Sequence, residues 1–509
     1  MSFFRPLTVI PPVTMLLTAL VWSLLDFDGF LTRASEANQW ILQHFDWAFL
    51  LFSFAAILLL IYVAISPLGG VRIGGRDATP ILSRWNWFAI TLCTTIAIGI
   101  LFWAAAEPIM HVSNPPNFAA VVAGSDQASV FAISTLYMHW TVTPYALYSV
   151  CALAFALSFH NLRSAYSLSG PMRVVFGSSV DGTPAAIIDA VGLFALVAGV
   201  AASLGVGVIT ISGGLRDVFG FLDSVFLRGC VAVAVIVSFI ASSVSGLQKG
   251  IKTLSDINVR IFVMIAVFVF VLGPTGDIVS LGAKGAIDYV VGFVPNSLPI
   301  GARVEDVWMR DWTVFYFANW LAWAPVTAMF LGRISIGYTV REFMLFNLLV
   351  PALFSALWMA TFGGGAILLN DLQQGALGEA ISAQGPEIAI YELLRSLPFA
   401  SLTVVFFVVV TFISFVTAMD SNTQSIADIS LKDGSTQSRD KSMRYVKIFW
   451  GALIGAVAFT MTATTGIDGV RMLSNLGGLP GLIILIIFGT SLVVMRVRHL
   501  DELENASPR

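Results

Sequence analysis

Residues 139–148 read His139-Trp140-Thr141-Val142-Thr143-Pro144-Tyr145-Ala146-Leu147-Tyr148, in the middle of a long apolar run. At helical spacing Trp140, Tyr145 and Tyr148 fall within an arc of roughly 140°. A second apolar run carries Tyr316, Phe317, Trp320 and Trp323, the last two sharing a face at i, i+3. Aromatic faces on two helices can enclose a methylated ammonium. Its diffuse charge has no N–H to donate, and a ring face attracts it by ~1–2 kcal/mol per desolvated contact. Such a cage needs no acidic partner. Aromatics in apolar helices serve as packing more often than as cages, so both readings stand on these residues alone.

Four ionisable residues lie in or beside apolar sequence: Glu107, His139, Asp189 and Asp420. Charge at membrane depth is costly and often functional. Glu107 precedes Pro108 and Asp189 follows Pro184, so both read as helix-end residues with structural roles. Asp420 lies in Thr417-Ala418-Met419-Asp420-Ser421-Asn422-Thr423, a hydroxyl-rich turn suited to an ion, a partner helix or back-bonding to carbonyls four residues earlier. His139 suits a proton relay or a packed neutral ring. Cys93, Cys151 and Cys230 show no CxxC or histidine spacing, which argues against a disulfide framework or a metal site. There is no Walker loop and no HExxH, so neither an enzyme nor a primary pump is indicated.

The elements that carry these residues follow from composition. Of 509 residues, 57% are hydrophobic and only 11% are charged, where a soluble domain carries about 25% charged. Net charge is −3 with no basic block, so nucleic acid is not a partner. Spans of about 20 apolar residues are expected near 8–25, 47–66, 87–106, 129–159, 186–212, 225–247, 257–273, 312–331, 343–362, 399–424, 446–465 and 475–495. With both termini on the cytoplasmic side, 19 of the 27 Lys and Arg residues fall inside, as the positive-inside rule requires. In the outer loop after the seventh span, Asp277, Ser280, Lys284 and Asp288 are spaced by three and four, with Ile278, Leu281, Ile287, Val291 and Val294 largely opposite. That pattern predicts an amphipathic helix, lying at the bilayer surface or packed on the protein. The third and eighth spans both carry small or kinking residues, Ala97, Gly99 and Pro108 in one and Ala322, Ala324 and Pro325 in the other. Paired interrupted helices point to a binding site between two repeated halves.

The same segments resemble the betaine/choline/carnitine transporter family. The resemblance lies in Ala106-Glu107-Pro108, in His139-Trp140 with Pro144 and Tyr148, and in the small-residue run Gly199 to Gly207. It continues in Phe315-Tyr316 with Trp320, Trp323 and Pro325, in Arg333-Ile334-Ser335 and Arg341-Glu342-Phe343, and in Phe415-Val416-Thr417 with Asp420-Ser421. It covers nearly the whole chain. It implies an all-α polytopic membrane protein of twelve transmembrane helices, with a leucine-transporter-like core of two inverted five-helix repeats. The implied organisation is two N-terminal helices in 1–70, repeats in 71–275 and 312–495, a periplasmic loop with the interfacial helix in 276–311, and a short cytoplasmic tail in 496–509. It further implies a homotrimer in a bacterial inner membrane that imports an onium compatible solute such as glycine betaine, choline, carnitine or dimethylsulfoniopropionate. The implied solute site is Trp140, Tyr145, Tyr148 and Trp320, with Trp323 nearby and the backbone at Ile96 and Ala97 holding the other end of the solute.

This chain departs from the family pattern in ways that bear on substrate and ion. Position 145 is Tyr where Trp is usual, and positions 317 and 319 are Phe and Asn where Trp is frequent. The glycine-rich stretch of the third helix reads Thr95-Ile96-Ala97-Ile98-Gly99, which leaves a less methylated solute such as taurine open, as it does a non-transporting sensor. No cofactor is expected beyond a coupling ion, Na+ or H+. Leu196, Val200 and Ala418 stand where sodium-driven members have hydroxyls, so a sodium site would draw on Thr417, Thr95 and the backbone of Ile96. If Thr95 restores an oxygen beside Thr417, Thr417→Ala lowers sodium dependence of uptake; unchanged dependence removes Thr417 from an ion site.

Overall fold

The structure is a computed structural model and describes residues 4–95, 99–222, 224–244, 248–298, 306–432 and 436–506. Ile96 and Ala97, expected to hold part of the solute, lie outside the described residues. The long helices are α1 Pro6–Leu25, α2 Phe27–Ile65, α3 Arg84–Thr95, α4 Gly99–Ser113, α5 Asp126–Trp140, α6 Val142–Ala156, α7 Thr183–Phe219 and α8 Val225–Val244. They continue as α9 Gln248–Leu272, α10 Thr275–Ser297, α11 Phe315–Ile334, α12 Val350–Leu372, α13 Ala400–Ser430, α14 Thr436–Thr465 and α15 Ile467–Arg498, followed by the short α16 Leu500–Glu504. Among the described residues, 10 helices are long and apolar enough to cross a membrane, or up to 12 spans if each bent pair counts as one. The chain is a multi-pass membrane protein of all-helical fold.

The bends fall in the third and eighth spans, where small and kinking residues interrupt the sequence. α3 and α4 are inclined by 57°, and 307–325 and 327–334 by 55°. Prolines accompany two of the breaks, at Pro144 and Pro325, and Pro108 sits within an unbroken helix; each lacks an N–H and crowds the carbonyl four residues earlier. Pro144 frees the Trp140 carbonyl where α5 gives way to α6, and Thr141 there leaves helical geometry at φ −111°, ψ −107°. Pro108 lies inside α4 and Pro325 inside α11. Glycines on neighbouring helices approach the carbonyls these last two release. A Cβ on Gly363 would sit 3.2 Å from the Ala104 oxygen, and one on Gly481 only 2.0 Å from the Leu321 oxygen.

Helix α11 is the hub and packs most heavily on α15, α6 and α7. Close approach to α15 depends on small residues, because lipid provides no hydrophobic drive to press helices together. A Cβ on Gly478 would meet the Ala318 backbone oxygen at 2.6 Å.

Ion pairs tie both ends of the bundle. At one end Arg5 reaches Asp189 on α7 at 2.5 Å and the carbonyl of Ile429 on α13 at 3.0 Å, while Phe4 bridges Leu431. Asp189 also accepts Ser167 Oγ at 2.9 Å and the Leu168 N–H at 2.8 Å, which is the structural role expected of it. At the same end Asn161 donates to the carbonyls of Arg72 and Leu503 and accepts the Gly74 N–H, pinning α16 to the loop after α2. At the other end Arg310 meets Asp46 at 2.8 Å and Arg395 meets Asp217 at 2.6 Å.

Helix α10 occupies the segment where an amphipathic helix is expected. It buries Ile278, Gly282 and Gly285 against α5 and α12 and leaves Ile287, Val290 and Val291 exposed.

Adding one methyl at Gly481 forces α11 and α15 apart, so Gly481→Ala lowers the thermal stability of the purified protein. Gly276→Ala meets nothing within 4 Å and is expected to be neutral or stabilising by up to about 1 kcal/mol. Thermal unfolding of the two variants side by side checks the contrast.

Candidate functional site

Between the two bent spans lies a small cavity of about 30 Å³, water-sized and well below the usual volume of a small-molecule site. Trp140, Trp320 and Trp323 line it, with Thr95, Gly99, Ser203, Phe315 and Asn319. Of the expected cage residues, Trp140, Trp320 and Trp323 line this cavity, while Tyr145 and Tyr148 do not. Trp140 and Trp320 meet edge to face at 5.0 Å between centroids, and Tyr148 approaches Trp320 at 6.3 Å. Tyr145 is fully buried beside Tyr148 on α6. The Tyr148 hydroxyl is buried with no hydrogen-bond partner among the described residues. Glycine backbone makes room for two of the indoles. A Cβ on Gly99 would stand 2.5 Å from the Trp140 ring, and one on Gly199 2.8 Å from the Trp323 ring.

The aromatic faces are oriented by a residue whose sequence context suggested only a helix end. Glu107 is fully buried and sits within α4, not at its terminus, because Pro108 is accommodated inside the helix. One carboxylate oxygen accepts Trp140 Nε1 at 2.7 Å and Tyr316 Oη at 2.5 Å. The other meets His139 Nδ1 at 2.6 Å and His111 Nε2 at 3.3 Å. Trp320 donates Nε1 to the His139 carbonyl at 3.0 Å. Three cage rings, Trp140, Tyr316 and Trp320, thus hang on Glu107 and its histidine partner. Bonds to a charged carboxylate are about twice as strong as neutral ones.

Tyr316 does not line the cavity but packs behind its rings, where only its neighbours were expected. It packs against Trp140 at 5.2 Å, stacks on His139 at 4.6 Å and lies at 6.4 Å from Trp320, one helical turn on. Its i, i+4 spacing to Trp320 was the available signal. For Glu107, the signal was an acidic residue in apolar sequence without a neighbouring cation.

The ligand-type atoms of Glu107, His111 and His139 lie within 4.8 Å of one another. The carboxylate meets four donors and His139 meets Glu107 and Thr313, while His111 Nδ1 has no hydrogen-bond partner among the described residues.

The residues considered for a sodium ion are more scattered. Thr95 lines the cavity and bonds the Thr91 carbonyl at 2.8 Å. Thr417 bonds the Ile413 carbonyl at 2.8 Å, and its neighbour Ala418 lines the cavity. Ser203, on the same helix as Leu196 and Val200, brings a hydroxyl to the cavity from a position not expected to supply one. Asp420 pairs with Lys447 at 3.2 Å.

Residues 7–500 match the profile described as BCCT, betaine/carnitine/choline family transporter. The ectoine/hydroxyectoine transporter of Virgibacillus pantothenticus is 32% identical over 89% of this chain and 88% of its own. The glycine betaine transporter 1 of Vibrio parahaemolyticus is 30% identical over 86% and 83%. Among solved structures, a Na+-coupled sialic acid symporter in a substrate-bound outward-open state aligns with TM-score 0.51 at 14% identity, over 87% of this chain and 85% of that one. That likeness shows the fold, a leucine-transporter-like helical core. The chain belongs to the betaine/carnitine/choline transporter family and is a transporter, not an enzyme.

Removing the carboxylate leaves the buried Trp140 and Tyr316 donors without an acceptor, at about 1–3 kcal/mol each. Glu107→Ala is expected to lower thermal stability and change the tryptophan fluorescence, with Glu107→Gln milder because an acceptor oxygen remains. An alanine variant as stable as wild type, with unchanged fluorescence, would remove Glu107 from this role.

Proposed function

We propose that this betaine/carnitine/choline-family transporter imports a compatible solute with a quaternary ammonium or related onium head, driven by a cation gradient, by alternating access around the aromatic cavity. The observation that carries the reading is the convergence of Trp140, Trp320 and Tyr148 with Tyr316 beside a cavity between two bent helices. Ring faces attract a diffuse cation, while no acidic side chain lines the cavity among the described residues. Trp140, Trp320 and Trp323 would form the walls, with Tyr148 behind Trp320 and Tyr145 beside Tyr148 on α6. The backbone at Ile96 and Ala97 is suited to a carboxylate end. Glycine betaine, choline, carnitine and dimethylsulfoniopropionate share the head this cage suits. Ectoine is a second candidate, favoured by the similarity to the ectoine/hydroxyectoine transporter; its delocalised cation is planar and stacks on indole.

The membrane placement belongs to the same reading: a bacterial inner membrane with both termini cytoplasmic, supported by the bias of basic residues. The repeats 71–275 and 312–495 would rock against each other, supported by bends of similar size in corresponding spans. Helix α10, with an exposed apolar face, would lie at the periplasmic bilayer surface and contribute to a trimer.

Equilibrium binding and proteoliposome uptake of radiolabelled glycine betaine and ectoine test the function. Saturable, concentrative uptake is expected. Trp320→Ala should weaken binding about 5–30-fold, the equivalent of ~1–2 kcal/mol, and Trp320→Phe much less. Binding without uptake under any imposed gradient would favour a sensor, and unchanged binding in Trp320→Ala would remove the cage.

A further inference from the structure

Near the start of α15 stands a cation whose bonds are only partly made. The Arg471 guanidinium lies over the Trp312 ring at 4.7 Å and the Phe315 ring at 5.5 Å. Its Nη1 faces the exposed Asp468 at 4.0 Å, a pair too long and too close to water to contribute much. Nε and Nη2 are buried and have no hydrogen-bond partner among the described residues. Arginine keeps its charge, and a charged donor buried without an acceptor is costly. Stacking on two rings explains where the guanidinium lies. It does not explain why these two donors are left unmet.

The two open atoms have a defined chemistry. Nε–H and one Nη2–H point the same way, side by side, at the spacing of the two oxygens of a carboxylate. Among the described residues no carboxylate but that of Asp468 comes within 4.0 Å of the guanidinium, and it meets Nη1. The edge therefore suits a carboxylate that the described residues do not supply.

Its place is beside the aromatic cavity. Phe315, over which Arg471 stacks, lines the cavity, and so does Val470, the preceding residue on α15. One turn on, α15 and α11 meet again. Ser474, three residues after Arg471, bonds Asn319 Oδ1 at 2.9 Å, and Asn319, four residues after Phe315, lines the cavity. Asn319 stands where the family pattern favours Trp, so this end of the cavity is more polar than the pattern implies.

We propose that Arg471 is a carboxylate subsite at the Phe315–Val470 end of the cavity, in addition to the backbone at Ile96 and Ala97, and that it selects zwitterionic onium solutes. The proposal rests on the cage as the solute site and narrows what that site takes. A guanidinium repels an onium head and attracts a carboxylate, so the solute enters one way round, with its carboxylate on Nε and Nη2 and its head toward Trp140, Trp320 and Trp323. Glycine betaine, carnitine, dimethylsulfoniopropionate and ectoine all carry the carboxylate. Choline does not: it leaves the open edge unmet and brings a second cation close to the first.

Equilibrium binding of glycine betaine and choline to the full-length protein tests this, because the two share a head and differ in the carboxylate. Wild type is expected to bind glycine betaine more tightly. Arg471→Gln weakens glycine betaine binding by about 10–100-fold and leaves choline binding unchanged or tighter. Arg471→Lys, which keeps a cation near the rings without the fork, weakens glycine betaine less and spares choline, and it decides the test if the glutamine variant does not fold. Trp320→Ala weakens both solutes alike. Equal loss of both solutes in the deciding Arg471 variant overturns the subsite in favour of a packing role, and unchanged glycine betaine binding in that variant, or a wild type that prefers choline, overturns it and leaves the cage standing. Binding of neither solute by wild type overturns the cage, and this proposal with it.

Discussion

A carboxylate buried in a membrane protein is tolerable only if its oxygens are met by donors, and Glu107 meets that demand with four of them. The donors come from α4 itself, α5 and α11, so satisfying one side chain fixes the relative positions of helices in the third, fourth and eighth spans. A cluster of buried aromatic rings is the other side of that arrangement. Trp140 and Tyr316 donate to one carboxylate oxygen, which sets the angle at which their rings meet. An aromatic cage needs no acid to contact its ligand, yet here an acid behind the rings holds them.

The same helices are interrupted where they carry the site. Proline removes a backbone bond and frees a carbonyl, an expense in lipid unless a neighbour comes close. Gly363 and Gly481 provide that approach at Ala104 and Leu321. Gly99 and Gly199 work on the other side of the backbone, leaving volume for the Trp140 and Trp323 rings. Small residues in this chain therefore do two jobs, letting backbones close and letting indoles fit.

Around this centre the ends of the bundle are tied by charge. Arg5 joins α7 to α13 at one end, and Arg310–Asp46 and Arg395–Asp217 tie the other. A carrier has to release one set while keeping the other, and polar contacts near water are easier to exchange than a packed apolar seam.

Sequence by itself determined the class, most of the spans, the interrupted third and eighth helices and the two aromatic faces, because each is a local pattern of hydropathy, proline and helical spacing. Of the expected spans, 225–247 falls short of a crossing helix among the described residues, while Thr275–Ser297, expected as a loop helix, reaches the length and hydropathy of one. It also carried the family, through motifs spread over nearly the whole chain. It placed Asp189 in a structural role through local context, and read Glu107 the same way because the adjacent proline implied a helix end. Only the tertiary structure decided otherwise. Three of the four partners of Glu107 stand 32, 33 and 209 residues away, and no periodicity encodes which of those rings will face which oxygen; only His111, at i+4, follows from helical spacing. Tyr316 came to stand behind the cavity rings, and Ser203 reached the cavity from a helix expected to supply no oxygen there, for the same reason. A residue's type limits what chemistry it can do, but its partners are chosen by how separate helices cross, and that is a property of the packed molecule.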